Sequence, residues 1–479
     1  MLLRELVIPI FKGVFFMTEK KVSIAALMVA LLAACVAFQL NASMLGPVLI
    51  TIGTELHANE ADVGMSQTAF FTAAALFSLF LPRLSDIKGR KFVLSLMLCV
   101  MTLGTVLAAL APNIETLFVA RVIQGISGPV VPVCLLMLRS EVTDVKQYAT
   151  LMGVVTALNG GIAGIDAIAG GFIASVSGFR AVFWTIAIIA AFATLCVMKF
   201  APESKPSANT KMDWLGVLFI VVSLALMLNA LNKAANVGNV NFVEVLAYAV
   251  ASIVAFMFFI GTEKRSKEPL VSIEHLKRRE TWSILLTTTL TMTGIFAVVN
   301  GLAMSLAQNT DVGFGLGPDT AALCLLTPYA LIGWLVGPFA GRLAPTYGYT
   351  NILRLGLLGS VIGILIVLFV GLESLTALII GIVLLGITYA GCANIMLNGL
   401  GIVLSPESNP GFLPGMNAGA FNLGAGLSFA ILPAVLMMNS VDNQPTTDAY
   451  FQSILVGLII TVVALVASFS IPRPKNAEL

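Results

Sequence analysis

Two charged side chains stand inside long apolar runs of this sequence, Arg121 within 114–138 and Asp166 within 147–174. An aspartate withdrawn from water is costly when ionised, so it is suited to loading and unloading a proton. An arginine in the same surroundings costs up to roughly 3 kcal/mol unless it is paired or faces water. Arg121 is therefore expected to point into a helix bundle, the alternative being a side chain that snorkels to the interface. The two runs are successive and would lie antiparallel, with Arg121 and Asp166 at similar depth, so a structural ion pair between them is also open. Proton carrier and ion-pair partner are compatible roles, since making and breaking such a pair is one way to couple a proton to a conformational cycle.

The other polar side chains in apolar surroundings are neutral. Gln39, Asn41, Gln67, Gln124, Asn159, Asn300, Tyr329, Asn394, Asn398, Asn417 and Asn422 either join neighbouring helices by hydrogen bonds or present donors and acceptors to a polar substrate. Metal and disulfide chemistry are not indicated. The six cysteines, Cys35, Cys99, Cys134, Cys196, Cys324 and Cys392, occur singly in apolar runs, and His57 and His275 fall in polar connectors. No glycine-rich loop with a lysine, no ligand cluster and no nucleophile motif is visible, so neither an enzyme nor a bound cofactor is expected. The net charge of +2 is too small to suggest nucleic acid as a partner.

These residues are positioned by membrane helices. Of 479 residues 58% are hydrophobic and 10% charged, against roughly a quarter charged in soluble domains. Apolar runs long enough to span a bilayer fall near 23–53, 62–82, 92–111, 114–138, 147–174, 180–200, 213–232, 241–262, 282–306, 318–341, 350–371, 374–404, 412–438 and 449–471. These make fourteen, an even number that brings both termini to one side. The connectors carrying Arg83, Lys88, Arg90 and Lys91, then Arg139 and Lys146, Lys199, Lys205 and Lys211, the cluster Lys264 to Arg279, and Arg342 with Arg354 lie on that same side, together with Lys20, Lys21, Arg473 and Lys475. Only Arg180 and Lys233 lie opposite, so the termini are expected in the cytoplasm. The runs divide into a cytoplasmic amino terminus (1–22), a six-helix bundle (23–200), a linker with an extra helix pair (201–281), a second six-helix bundle (282–471) and a cytoplasmic tail (472–479). Two such halves suit an alternating-access carrier with its site between them. Met17 reads as a natural start, with 1–16 either outside the natural chain or forming an interfacial helix.

Residues 82–91, Pro-Arg-Leu-Ser-Asp-Ile-Lys-Gly-Arg-Lys, resemble the loop between spans 2 and 3 of the major facilitator superfamily. Asp86, Gly89, Arg90 and Lys91 match, and Pro82 replaces a usual glycine. Arg121-Val-Ile-Gln-Gly-Ile-Ser-Gly resembles the family's intramembrane arginine motif. Asp213-Trp-Leu-Gly, Glu268-Pro-Leu-Val-Ser-Ile-Glu-His-Leu-Lys277, Gly170-Gly171 and Phe179-Arg-Ala-Val-Phe-Trp184 resemble stretches of the fourteen-span drug:proton antiporters. The resemblance implies an all-α membrane protein of the major facilitator fold with two extra central helices. It also implies a conformational latch at Asp86, Gly89, Arg90 and Lys91, and a proton-driven export of drugs or metabolites by a monomer in a bacterial plasma membrane. Expected partners are a small-molecule substrate, protons and the bilayer.

Two departures point to import instead. The antiporters carry Gly-Pro before the paired glycines of span 5, where this chain has Asp166-Ala167, and an aspartate in span 1, where it has Asn41. With the amide-rich interior they support a proton symporter of a neutral polar nutrient such as a nucleoside or sugar. The second-half copy of the loop, 341–348, keeps Arg342 and Gly348 but has Pro345 at the acidic position.

Overall fold

The computed structural model describes residues 23–142, 144–204, 212–235, 241–266, 273–405, 412–441 and 444–473. The basic residues Lys20, Lys21, Lys205, Lys211 and Lys475, the stretch 267–272 and the Asn159 side chain lie outside the described residues. Thirteen described helices are long and apolar enough to cross a membrane. One helix, Val145–Phe200, holds two of the expected spans, because Gly178 interrupts it with φ 77° and ψ 176°. Dividing there gives fourteen: α1 Ile24–Leu56, α2 Glu60–Lys88, α3 Arg90–Ala109, α4 Ile114–Glu141, α5 145–177, α6 179–200, α7 Trp214–Leu231, α8 Phe242–Arg265, α9 Arg279–Gln308, α10 Pro318–Ala344, α11 Tyr349–Gly371, α12 Leu375–Val403, α13 Phe412–Met438 and α14 Thr447–Ser470. The face holding Ile24 and Ser470 is the terminal face, and the opposite one is the far face.

Local chemistry starts these helices. At the far face Asn59, Asn113, Asn241 and Thr446 cap α2, α4, α8 and α14, their side chains accepting from backbone N–H groups of the first turn. Such caps satisfy donors that the helix itself leaves unpaired. At Gly178 the restart is capped from elsewhere: Glu55 at the end of α1 accepts from the Phe179 amide at 3.1 Å and pairs with Arg180 at 2.9 Å. A positive φ favours glycine, and a Cβ there would lie 2.4 Å from the Glu55 carboxylate.

The stretch 82–91 is not the open loop the sequence suggests. Helix α2 runs through Pro82 to Lys88, and Gly89 alone, with φ 105°, turns the chain into α3. Gly348 repeats the device, with φ 87°, between α10 and α11.

The two sets of six helices meet along α2 and α13. Side-chain-free positions bring them close, Gly64 against Phe429 and Pro433, and Gly426 against Phe71 and Thr72. The Thr68 hydroxyl donates to the Gly426 carbonyl at 2.9 Å. Helices α7 and α8 pair through Ser223 and Ser252, each hydroxyl donating to the other's carbonyl. Their Ile220 and Phe259 pack beside Leu76 and Leu79 of α2 and Phe412 and Met416 of α13. Among the described residues helix α9 holds a π-helical turn at Val298–Leu302, and α12 another at Gly386–Ala393. Such bulges reaim side chains and are common at functional sites.

Candidate functional site

Arg121 is fully buried, as its charge in an apolar run requires, and points inward. Its guanidinium donates to the Asn41 carbonyl at 3.2 Å, to Gln124 Oε1 at 2.7 Å and to Gln67 Oε1 at 2.7 Å, and it lies 4.1 Å over the Phe70 ring. Gln124 in turn donates to the Thr105 hydroxyl at 3.0 Å, which contacts Asn41 Oδ1 at 3.3 Å. Four candidates, Asn41, Gln67, Arg121 and Gln124, thus form one cluster drawn from α1, α2 and α4, with α3 closing it through Thr105.

The ion pair with Asp166 is not formed. Asp166, 2% exposed, accepts a hydrogen bond from the Ser43 hydroxyl, and Ser43 accepts from Gln39 Nε2 at 2.9 Å. The reason is the register of α1. Asn41 and Ser43 are two residues apart, roughly 200° around a helix, so one edge of α1 serves α3 and α4 while another serves α5. Arg121 and Asp166 engage different edges of the same helix. Three buried atoms here have no hydrogen-bond partner among the described residues: Gln67 Nε2, Arg121 Nε and Asp166 Oδ1. Each unpaired buried polar group costs about 1–3 kcal/mol, which a ligand or a rearrangement relieves.

In the second half the candidates do not gather in the same way. Asn300 sits in the α9 π turn, donating to the Phe296 carbonyl at 3.0 Å, and faces Gly46 at the break of α1. Tyr329 lies on α10 where Gly386 of α12 approaches its backbone. Asn417 is helix packing, accepting from Thr288 at 2.7 Å and donating to the Leu397 carbonyl at 3.1 Å. Asn422 is buried on α13, and the exposed Asn398 donates to Asn394 at 3.1 Å.

The expected latch residues are knit together at the terminal face. Asp86 pairs with Arg90 at 2.9 Å, and Arg90 reaches the Leu136 carbonyl of α4 at 2.7 Å. Two residues after α6 complete it. Glu203 accepts from the Lys91 and Phe92 amides, both at 3.1 Å, and the Ser204 hydroxyl accepts from the Arg90 amide at 2.9 Å. Burial pushes the Glu203 carboxyl above its usual range, while those amides and the Lys91 charge pull it back.

Ser43, Thr105, Glu203 and Ser204 escaped the sequence reading, since a hydroxyl in an apolar run and an acid beside a linker look ordinary. The one available signal was spacing: Ser43 follows Gln39 by four residues, on one helix face.

Helix number, paired bundles and an intramembrane arginine cluster define a membrane carrier, and the chain belongs to the Major Facilitator Superfamily, whose model matches residues 30–433. The uridine/deoxyuridine transporter of Lactococcus lactis subsp. cremoris is 48% identical over 462 residues, covering 95% of this chain and 96% of that protein. Multidrug resistance protein Stp of Mycobacterium tuberculosis is 25% identical over 366 residues, 76% of this chain and 66% of Stp. In fold, a POT family transporter in complex with 5-aminolevulinic acid superposes with a TM-score of 0.68 at 15% identity, covering 93% of this chain and 96% of the other. The nucleoside transporter NupG superposes with a TM-score of 0.63 at 14% identity, covering 93% and 99%.

Proposed function

We propose that this membrane protein imports a pyrimidine nucleoside, uridine being the first candidate, together with a proton by alternating access. The observation that carries the reading is the 48% identity to a uridine/deoxyuridine transporter along 95% of the chain. The export reading has weaker support, since the multidrug resistance relative Stp is 25% identical over 76% of the chain. Asn41 and Asp166, which replace the antiporter residues, fit import as well.

In this proposal Asp166 carries the proton on α5. The cluster of Arg121, Gln67, Asn41 and Gln124, with Asn300 and Tyr329 from the second half, supplies the donors and acceptors that a uracil ring and ribose hydroxyls require. Asp86, Gly89, Arg90 and Lys91 act as the latch that sets the opening of the terminal face. The terminal face is cytoplasmic, the protein works as a monomer in a bacterial plasma membrane, and 201–281 is an accessory segment between two functional halves.

The test is uptake of radiolabelled uridine by proteoliposomes holding the purified protein, with an imposed pH gradient acid outside. Uptake several-fold above protein-free vesicles, lost on adding a protonophore, is expected. Gradient-driven movement of cationic dyes with no uridine uptake would restore the export reading.

A further inference from the structure

A carboxylate that the proposed mechanism does not use lies on the far face at the seam between the halves. Glu60, the first residue of α2, accepts a hydrogen bond from the Ser305 hydroxyl of α9 at 2.6 Å, and Ser305 is itself hydrogen-bonded to the Tyr450 hydroxyl of α14. One helix of the first half thus meets two helices of the second through a single carboxyl group. Beside it Gln308 of α9 donates to the Pro47 carbonyl of α1 at 3.1 Å. Ser305 is 4% exposed and Tyr450 fully buried, and Glu60 itself is partly buried, so closing this seam withdraws part of the carboxyl group from water.

Among the described residues no cation pairs with Glu60. Other carboxylates are paired instead, Asp86 with Arg90, Glu55 with Arg180, and Glu244 with Lys233. Of the charged and titratable groups around it, Asp62 on α2 interacts with Glu115 of α4, and Glu55 of α1 is held by Arg180. His57 and Asp448 are exposed, Asp311 follows α9, and Tyr450 is the ionisable group that reaches Glu60 through Ser305. Hydroxyl partners without a counter-charge leave a partly buried carboxylate less well stabilised than it is in water.

We propose that Glu60 is a second proton-coupling residue of the transport cycle, neutral when the far face is shut and ionised when that face is open. On closing, one proton passes from far-side water to a Glu60 carboxylate oxygen, forming an O–H bond, and the neutral acid accepts from Ser305 through Oε1. On opening, the carboxyl group returns to water and the proton leaves. Lower pH therefore shifts the population toward the closed far face. The inference rests on the transport reading above, deepening its coupling without depending on the substrate.

The test is a distance measurement by pulsed electron resonance in nanodiscs. The cysteine-free protein carries spin labels at Thr54→Cys and Thr447→Cys, two exposed far-face positions on opposite halves. Between about pH 8 and about pH 4, a window that reaches the ordinary carboxylate range, the long-distance population is expected to shrink several-fold. Glu60→Gln should show the short distance at both ends of that window. Ser305→Ala, which keeps the carboxyl group and removes a hydrogen bond made only with the far face shut, should move the midpoint to lower pH. An unaltered pH response in Glu60→Gln overturns the proposal. So does loss of the response in Asp166→Asn, which assigns it to α5. Because no substrate enters the measurement, an absence of uridine uptake would refute the substrate and leave this result standing.

Discussion

Arg121 shows how far single residues could be read. Its direction follows from the cost of a charge in an apolar run, and the structure buries it completely. Its partners do not follow, because whether Asp166 or a set of neutral acceptors satisfies it depends on which edge of α1 faces which neighbour. That register is a tertiary fact. The separation has a measurable outcome. If the protein works as the proposed proton-coupled uridine importer, Asp166→Asn is expected to abolish the dependence of transport on the pH gradient while preserving exchange, since an amide resembles the protonated acid. Arg121→Gln leaves Gln67, Gln124 and the Asn41 carbonyl short of a donor, at about 1–3 kcal/mol each. The double variant should be additive in thermal stability, because the two residues form no ion pair. Rescue of one change by the other would show that the pair forms elsewhere in the cycle.

At the scale of elements, apolar run length located the helices well and punctuation located them poorly. A break between 174 and 180 was legible, but not that Gly178 alone suffices, because the cap that restarts α6 comes from Glu55 on a distant helix. Residues 82–88 were read as loop from their polarity, whereas they continue α2. The turn at Gly89 is tighter than its motif suggests, and a Cβ there would lie 2.4 Å from Glu203 Oε1. Gly89→Ala combines a left-handed backbone, costing about 1 kcal/mol, with displacement of the Glu203 cap. Its melting temperature in detergent should fall by several degrees, and uptake should slow with little change in KM. A raised KM at unchanged turnover would argue that this corner touches the substrate path and not the conformational step.

For the molecule as a whole, the fourteen spans were legible because bilayer thickness fixes helix length. Orientation rests on the basic connectors. A membrane-impermeant maleimide added to intact cells should label His57→Cys, which stands exposed between α1 and α2, and leave Lys264→Cys untouched. The reverse pattern would invert the topology.

The crossing of α2 and α13 bears on the mechanics of the cycle. Approach is tightest at Gly64 and Gly426 and loosens toward Gly419, where the nearest α2 atom is 3.8 Å from the position of a Cβ. Taking the Thr68 to Gly426 hydrogen bond as a fulcrum, α2 is a lever of unequal arms, about 12 Å toward the far face and about 30 Å toward the terminal face at 1.5 Å per residue. A rigid rocking of the halves then magnifies each far-face displacement roughly 2.5-fold at the other end. Paired distance measurements across both faces would return that ratio, and equal excursions would mean that the helices bend instead of pivoting. With this gearing, a displacement of about 1 Å where Glu60 meets Ser305 corresponds to roughly 2.5 Å at the terminal end of α2.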